Sequence, residues 1–451
     1  MNVSRAFVGA HARSALLAAL LWLAAAGVDR SVAETPDGPP ELARAEQPAG
    51  KPDAAARGGL LEWDRMTGNW GGGRTWLEEH GVTVDLGLTT IYQHNARGGV
   101  RTGGAQRVSG SYDFELILDT GGLSLWRGGM LYALARGSWD EGISKVGYVG
   151  DSFGVNGDAE GDRAGNVTAL WYEQRFWGDR VRVRLGKLAL SVDFETNAYA
   201  NDETAQFMNN GLINAGNVPF PGVGQGIQFV ATPCSWFYFG AGVTDAEANT
   251  RQTGFGTAYH GRDDFFSIYE FGVTPEFKSA RGPLAGSYRF GLWYDPQPKE
   301  MFFDDLGGRR RTIPMKRDDM GFYTSCDQLV WRERVGEEGD EQGLGLFFRY
   351  AYARADVNEI EHFWSCGAQY LGLIPTRDED VLGFGVAQGI LSKNLRLVDA
   401  DPHRETVLEA YYSLQLAPWL TISPDVQWIL RPGGEDGRDA FVMGVRVQMA
   451  F

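Results

Sequence analysis

The sequence predicts an all-β protein: a transmembrane antiparallel β-barrel of about sixteen strands with a short N-terminal helix. Three observations carry that prediction. Residues 441–451 alternate, with Phe441, Met443, Val445, Val447, Met449 and Phe451 on one face, against Val442, Gly444, Arg446, Gln448 and Ala450. Similar alternation recurs from Val82 onward, and the connections between alternating segments tend to switch between long and short. After the N-terminal region, no apolar run reaches the roughly 18 residues that a spanning helix needs.

Taken in order, the chain opens with Arg5 and Arg13, an uncharged apolar run from Ala15 to Val28, then Ser31-Val32-Ala33. That order predicts a secretory signal peptide over 1–33, too short and wrongly flanked to span a membrane. Its removal takes the formal net charge from −16 to about −18. Such acidity argues against nucleic acid as a partner. Residues 34–58, rich in Pro, Ala and charge, are expected to form a flexible periplasmic linker. Residues 59–81 form a short helical segment, its helix expected around Thr75 to His80 and stopped by Gly81. The barrel domain is expected over 82–451.

Within it, Val82, Val84, Leu86, Leu88 and Tyr92 oppose Thr83, Asp85, Gly87, Thr89 and Gln93. Tyr112, Phe114, Leu116 and Leu118 oppose Ser111, Asp113, Glu115 and Asp119. Tyr288, Phe290, Leu292 and Tyr294 oppose Arg289, Gly291, Trp293 and Asp295, and Leu346, Phe348 and Tyr350 oppose Phe347, Arg349 and Ala351. In a soluble sandwich the apolar face would be core; in a barrel it meets lipid and the polar face lines a lumen. Connection lengths favour the barrel. Strands are expected to begin near 82, 110, 129, 167, 180, 226, 235, 265, 286, 320, 343, 362, 380, 405, 419 and 440. The long links include 139–165, 190–225, 245–264 and 295–319. Short ones fall at Gly178-Asp179, Pro233-Cys234 and Ala417-Pro418. Long loops at one end and tight turns at the other suit an outer-membrane barrel with periplasmic termini. Pro424 removes a ladder donor inside the fifteenth strand, so a bulge is expected there. Cys326 and Cys366 fall two strands apart, beyond normal disulfide reach.

Three stretches resemble the OprB-type carbohydrate-selective porins. The first is Thr67-Gly68-Asn69-Trp70-Gly71-Gly72-Gly73-Arg74 with Trp76-Leu77-Glu78-Glu79-His80-Gly81-Val82. The second is Trp171-Tyr172-Glu173-Gln174, continuing to Arg184-Leu185-Gly186-Lys187 and Asp193-Phe194. The third runs from Ile422 to Leu430, then Arg431-Pro432-Gly433-Gly434 and the terminal strand. Arg431 departs from the pattern, since many members carry Asn before Pro-Gly-Gly. The resemblance implies a sixteen-stranded outer-membrane barrel passing mono- or small oligosaccharides by diffusion, as a monomer or a homotrimer. The closing Phe451 resembles the insertion signal read by barrel-assembly machinery.

The candidate pore-lining residues are Asp113, Glu115, Glu173, Arg182, Arg184, Asp193, Glu195, Arg289, Trp293 and Arg349. Facing acidic and basic walls would order water and favour polar solutes, although a lumen needs polar residues merely to stay wet. Residues 190–225 carry Phe194, Tyr199, Phe207 and Phe220, with Asp193, Glu195, Asp202 and Glu203, and no Lys or Arg occurs from Leu188 to Thr250. A connection of that length folds inward as a constriction or packs over the rim. If inward, its carboxylates would favour cations and its aromatics would stack on sugars. Arg309-Arg310-Arg311 and Lys316-Arg317 form the densest basic cluster, expected to be a solvated loop, with lipopolysaccharide phosphates as the alternative partner. Asn156-Gly157-Asp158 lacks the ligand spacing of a calcium loop. No cofactor motif and no catalytic constellation emerges. A channel is therefore the leading reading. The alternatives are a barrel enzyme or secreted sugar hydrolase, and a plugged structural or adhesive barrel.

Overall fold

In a computed structural model the described residues are 59–251, 253–259, 264–302, 314–334, 342–397 and 403–451. The expected signal peptide, the linker and the run Arg309-Arg310-Arg311 lie outside them. Among the described residues, sixteen strands form one closed antiparallel sheet in chain order. These are β1 (Val82–Arg97), β2 (Gln106–Asp119), β3 (Gly129–Trp139), β4 (Arg163–Phe176), β5 (Val181–Leu188), β6 (Gly224–Cys234) and β7 (Phe237–Asp245). Next come β8, in two pieces (Phe265–Val273 and Glu276–Ser279), β9 (Gly282–Asp295), β10 (Asp319–Arg332), β11 (Gly343–Tyr352) and β12 (Ile360–Leu371). The last four are β13 (Val381–Leu391), β14 (Arg404–Ala417), β15 (Leu420–Leu430) and β16 (Ala440–Ala450). The β1–β16 ladder, from Gly87 opposite Ala450 to Arg97 opposite Phe441, closes the barrel and leaves neither strand as an edge.

Strands β2, β4 and β9 start four residues before their clean alternation does, at Gln106, Arg163 and Gly282. Backbone pairing continues beyond the apolar band, where side-chain pattern no longer marks it. The β6–β7 turn falls at Ser235-Trp236, just after the expected Pro233-Cys234. Pro275 accounts for the break in β8, since proline cannot donate to the ladder. Pro424 behaves differently from expectation. Its register against β16 is regular, with Pro424 opposite Val445, and no bulge forms. On the β14 side the pairing merely skips Tyr412 and Ser413 and resumes in the same register. Ser423 donates its hydroxyl to Ser413 Oγ at 3.2 Å across that gap.

The phase of the alternating faces is as expected. Leu86, Phe114, Phe290, Leu346, Phe384 and Trp428 are exposed on the outside, while Gln93, Arg289, Arg349, Gln427 and Arg446 are buried inside. The short helix, α1 (Gly73–Glu79), starts two residues before Thr75 and ends before Gly81, which takes φ +79°. Arg74, on α1, donates to Val84 O at 3.2 Å and to Phe451 O at 3.0 Å. One guanidinium thus ties both partners of the closing seam.

Arg431 adopts a left-handed backbone, φ 54° and ψ 62°. Asn populates that region far more readily than Arg, which gives the departure at this position a physical cost. Arg431→Asn is expected to raise stability by about 0.5–1 kcal/mol. The exposed ion pair to Asp436 that it loses is worth less. Urea unfolding of both proteins checks it; a loss of stability would contradict the strain argument.

Candidate functional site

The barrel interior holds two inward-folded connections. The first links β5 to β6 and contains the expected segment 190–225. Its apolar side chains Leu190, Phe194, Phe207, Met208 and Leu212 are fully or almost fully buried. They seat against wall positions that carry no side chain. A Cβ at Gly242 would lie 2.6 Å from Leu190, and one at Gly385 would lie 2.8 Å from Leu212 and 3.0 Å from Phe207. Phe207 stands edge-on to Phe347 and Tyr411, at centroid distances of 5.7 and 5.0 Å.

Polar clamps complete the seating. Glu195 and Arg349 form an ion pair at 2.7 Å, and both are 0 % exposed. Arg349 also donates to Leu212 O at 3.0 Å and to Ala200 O. Arg446 donates to Glu203 O and Gln206 O at 3.0 and 2.9 Å. Glu409 accepts from the amides of Met208 and Asn209, and Glu270 accepts from that of Glu195 at 3.0 Å. Backbone groups of an irregular segment need such partners wherever water is excluded. Burial pushes the Glu195 carboxyl up, against the opposing pull of Arg349.

The second inward connection links β3 to β4 and includes the one-turn helix α2 (Gly142–Lys145). Val155 O accepts from Gln93 Nε2 at 2.8 Å and Gln427 Nε2 at 2.9 Å. Glu405 accepts from the amides of Ser152 and Phe153. The two segments meet each other: Gly157 N donates to Met208 O at 2.9 Å, and Asn210 N donates to Gly154 O at 3.0 Å. Sequence reading missed this second segment. Its signal, had it been weighed, is the apolar trio Val149, Phe153 and Val155 within a long connection.

Three sequence candidates form one cluster. Glu173 accepts from Arg184 Nη2 at 3.0 Å and from Arg175 Nε at 2.9 Å. Arg184 pairs also with Asp193, and its guanidinium lies 3.9 Å from the centroid of the Trp171 ring. Arg182 is half-buried on the same inner face of β5. Arg289 pairs with Asp327 at 2.6 Å, and Trp293 is buried against Phe266. Glu115 faces Asp85 across the β1–β2 ladder.

Asp113 belongs to a cluster whose centre the sequence did not reveal. Arg136 on β3 lies 3.6 Å from Asp113, 3.7 Å from Glu160, 4.0 Å from Glu203, and in contact with Asp158. Register made it findable, because Arg136 is directly opposite Asp113. Asp158 is thus held by a guanidinium.

The description "Carbohydrate-selective porin, OprB family" matches residues 51–451. The chain belongs to that family. Porin B of Pseudomonas aeruginosa is 23 % identical over 424 residues, covering 86 % of this chain and 91 % of its own length. A putative porin of Acinetobacter baylyi, QuiX, is 21 % identical, with 86 % and 93 % covered. The high-pH structure of OprB from Pseudomonas putida superposes with a TM-score of 0.74 at 21 % identity, over 87 % of this chain and all of that one. With family, barrel and polar interior in agreement, this OprB-family member is a carbohydrate porin of the bacterial outer membrane. Family and fold are those of a channel.

Proposed function

We propose that the segment between β5 and β6 forms the throat that limits sugar size, with the β3–β4 segment completing its extracellular side. The observation that carries this is the double seating of the first segment: an apolar edge in glycine-smoothed wall and a polar edge clamped by Arg349, Arg446 and Glu409. Glu195 and Arg349, read from the sequence as pore-lining, act in this account as anchors, since neither has exposed surface for a solute to touch. Phe194 and Phe207 likewise are packed against the wall, so they hold the throat open at a fixed width instead of stacking on sugars. Direct contact with solute falls to half-exposed groups such as Arg182, Glu115 and Glu203. Phe451 serves assembly, and lipopolysaccharide surrounds the extracellular half. Swelling of proteoliposomes in sugars of increasing size tests the throat. Deleting residues 198–206 should admit sugars that the intact channel rejects, and an unchanged size limit would remove the segment from that role.

Four carboxylates around Arg136, of which only Glu160 has a second cation in Arg163, leave a net negative site. Such a site favours cations, more so at low salt. Asp193 and Glu195, which the sequence suggested as the source of that bias, are each paired to an arginine. The unpaired excess lies instead near Glu203. Burial, then the adjacent Asp202, push its carboxyl up to about 7. A raised carboxyl pKa means that charge appears only as pH rises through it. Cation preference should therefore grow from about pH 6 to about pH 8, and Glu203→Gln should flatten that rise. Reversal potentials across a salt gradient measure both; a pH-independent wild-type channel would contradict the assignment to Glu203.

A further inference from the structure

The periplasmic ends of β8, β9 and β10 enclose a crevice of about 280 Å³. Its walls include Ser279, Arg281, Leu284, Val330, Trp331 and Arg332. Leu284 follows the outward phase of Tyr288, Phe290 and Leu292. Trp331 is opposite Leu344, which shares the outward face of Leu346 and Phe348. Val330 and Trp331 are 38 % and 42 % exposed. The crevice therefore opens towards the bilayer at the level where the apolar band gives way to headgroups.

Arg281 is held there in an unusual state for an interfacial cation. Its guanidinium carbon lies 3.6 Å from the Trp331 ring centroid. Nη1 is shared between Arg332 O and Glu333 O at 3.3 Å each, both long contacts. Among the described residues, Nε and Nη2 have no acceptor. A planar cation fixed on an aromatic face, with two donors unused, matches the geometry of a phosphate diester. Glu333 is exposed beside it, its carboxylate 3.5 Å from the Tyr370 hydroxyl. With this carboxylate next to the guanidinium, the site suits a headgroup that carries an ammonium beside its phosphate.

We propose that this crevice binds one glycerophospholipid of the periplasmic leaflet with an ethanolamine-type headgroup. The phosphate docks on Arg281, the ammonium faces Glu333, and an acyl chain lies along Leu284 and Val330. Lipopolysaccharide phosphates are in the opposite leaflet and do not reach it. The site is on the outer wall, so it stands independently of any solute in the lumen.

Native mass spectrometry of the purified, delipidated barrel with added palmitoyl-oleoyl phosphatidylethanolamine tests this. One lipid should be retained per wild-type barrel, and retention should fall at least about tenfold in Arg281→Ala and in Trp331→Leu, a loss near 1.4 kcal/mol. Both positions are at the surface, and heat-modifiability confirms that each variant is folded. Glu333→Gln should weaken ethanolamine retention relative to the matching phosphatidylglycerol. Equal retention by wild type and Arg281→Ala would overturn the proposal. So would equal retention of diacylglycerol, which lacks the phosphate.

Discussion

Phe348→Arg is expected to cost about 2–4 kcal/mol of barrel stability, the penalty for a cation at mid-bilayer depth on the lipid face. Phe348 is exposed outside, in a row with Cys326 on β10 and Cys366 on β12. Four residues towards the periplasm, Leu344 is opposite Trp331 and Tyr370; four towards the exterior, Tyr352 packs near Phe322 and His362. Those aromatic belts mark the two interfaces, and Phe348 is midway. Leu346→Arg, one row closer to the periplasmic belt, should cost less, because a long side chain can bring its charge to the interface. Urea unfolding of the barrel folded into vesicles measures both. A negligible cost at Phe348 would mean that the face has been assigned to the wrong side.

Arg349→Leu, one residue away on the opposite face, should release the throat while sparing the barrel. The substitution strands the Glu195 carboxylate in a site with no exposure. Breaking a buried pair by removing one partner costs about 3–5 kcal/mol. The carbonyls of Ala200 and Leu212 lose their donor as well. Sixteen laddered strands do not depend on that contact, so the penalty falls on the seating of the β5–β6 segment. Single-channel conductance should rise and become noisier, with normal heat-modifiability. Converting Glu195 to Leu in the same chain should recover part of the seating by removing the orphaned charge. An unchanged conductance in the single variant would show that the pair does not position the throat.

Residues 346 to 349 show what was legible in the sequence. Period-two alternation fixes a strand and its phase, so the pattern alone puts Leu346 and Phe348 outside and Arg349 inside. The same logic located the inner faces of Asp113, Glu173, Arg184 and Arg289. Partners were harder, because they come from register and from loops. Glu173 and Arg184 meet because β4 and β5 pair at those residues, and Asp193 joins them through a turn that no periodicity describes. Arg136 went unrecognised because β3 alternates weakly, with Ala133 and Ala135 on the outside. The β3–β4 segment was missed for a related reason. What draws it inward is capping of its backbone by Gln93, Gln427 and Glu405, three residues from distant strands. Pro424 shows the limit of a local rule: one missing donor faces only one neighbour, so a gap in a single ladder sufficed.

The most direct measurement is single-channel current through the purified wild-type barrel in a planar bilayer while glucose, then a maltose-type sugar, is added. A sugar-permeable pore narrowed by two seated segments predicts stepwise open-channel conductance that falls reversibly with sugar concentration. A folded, heat-modifiable barrel that carries no current would instead mean that the two segments plug the lumen, and would contradict the account.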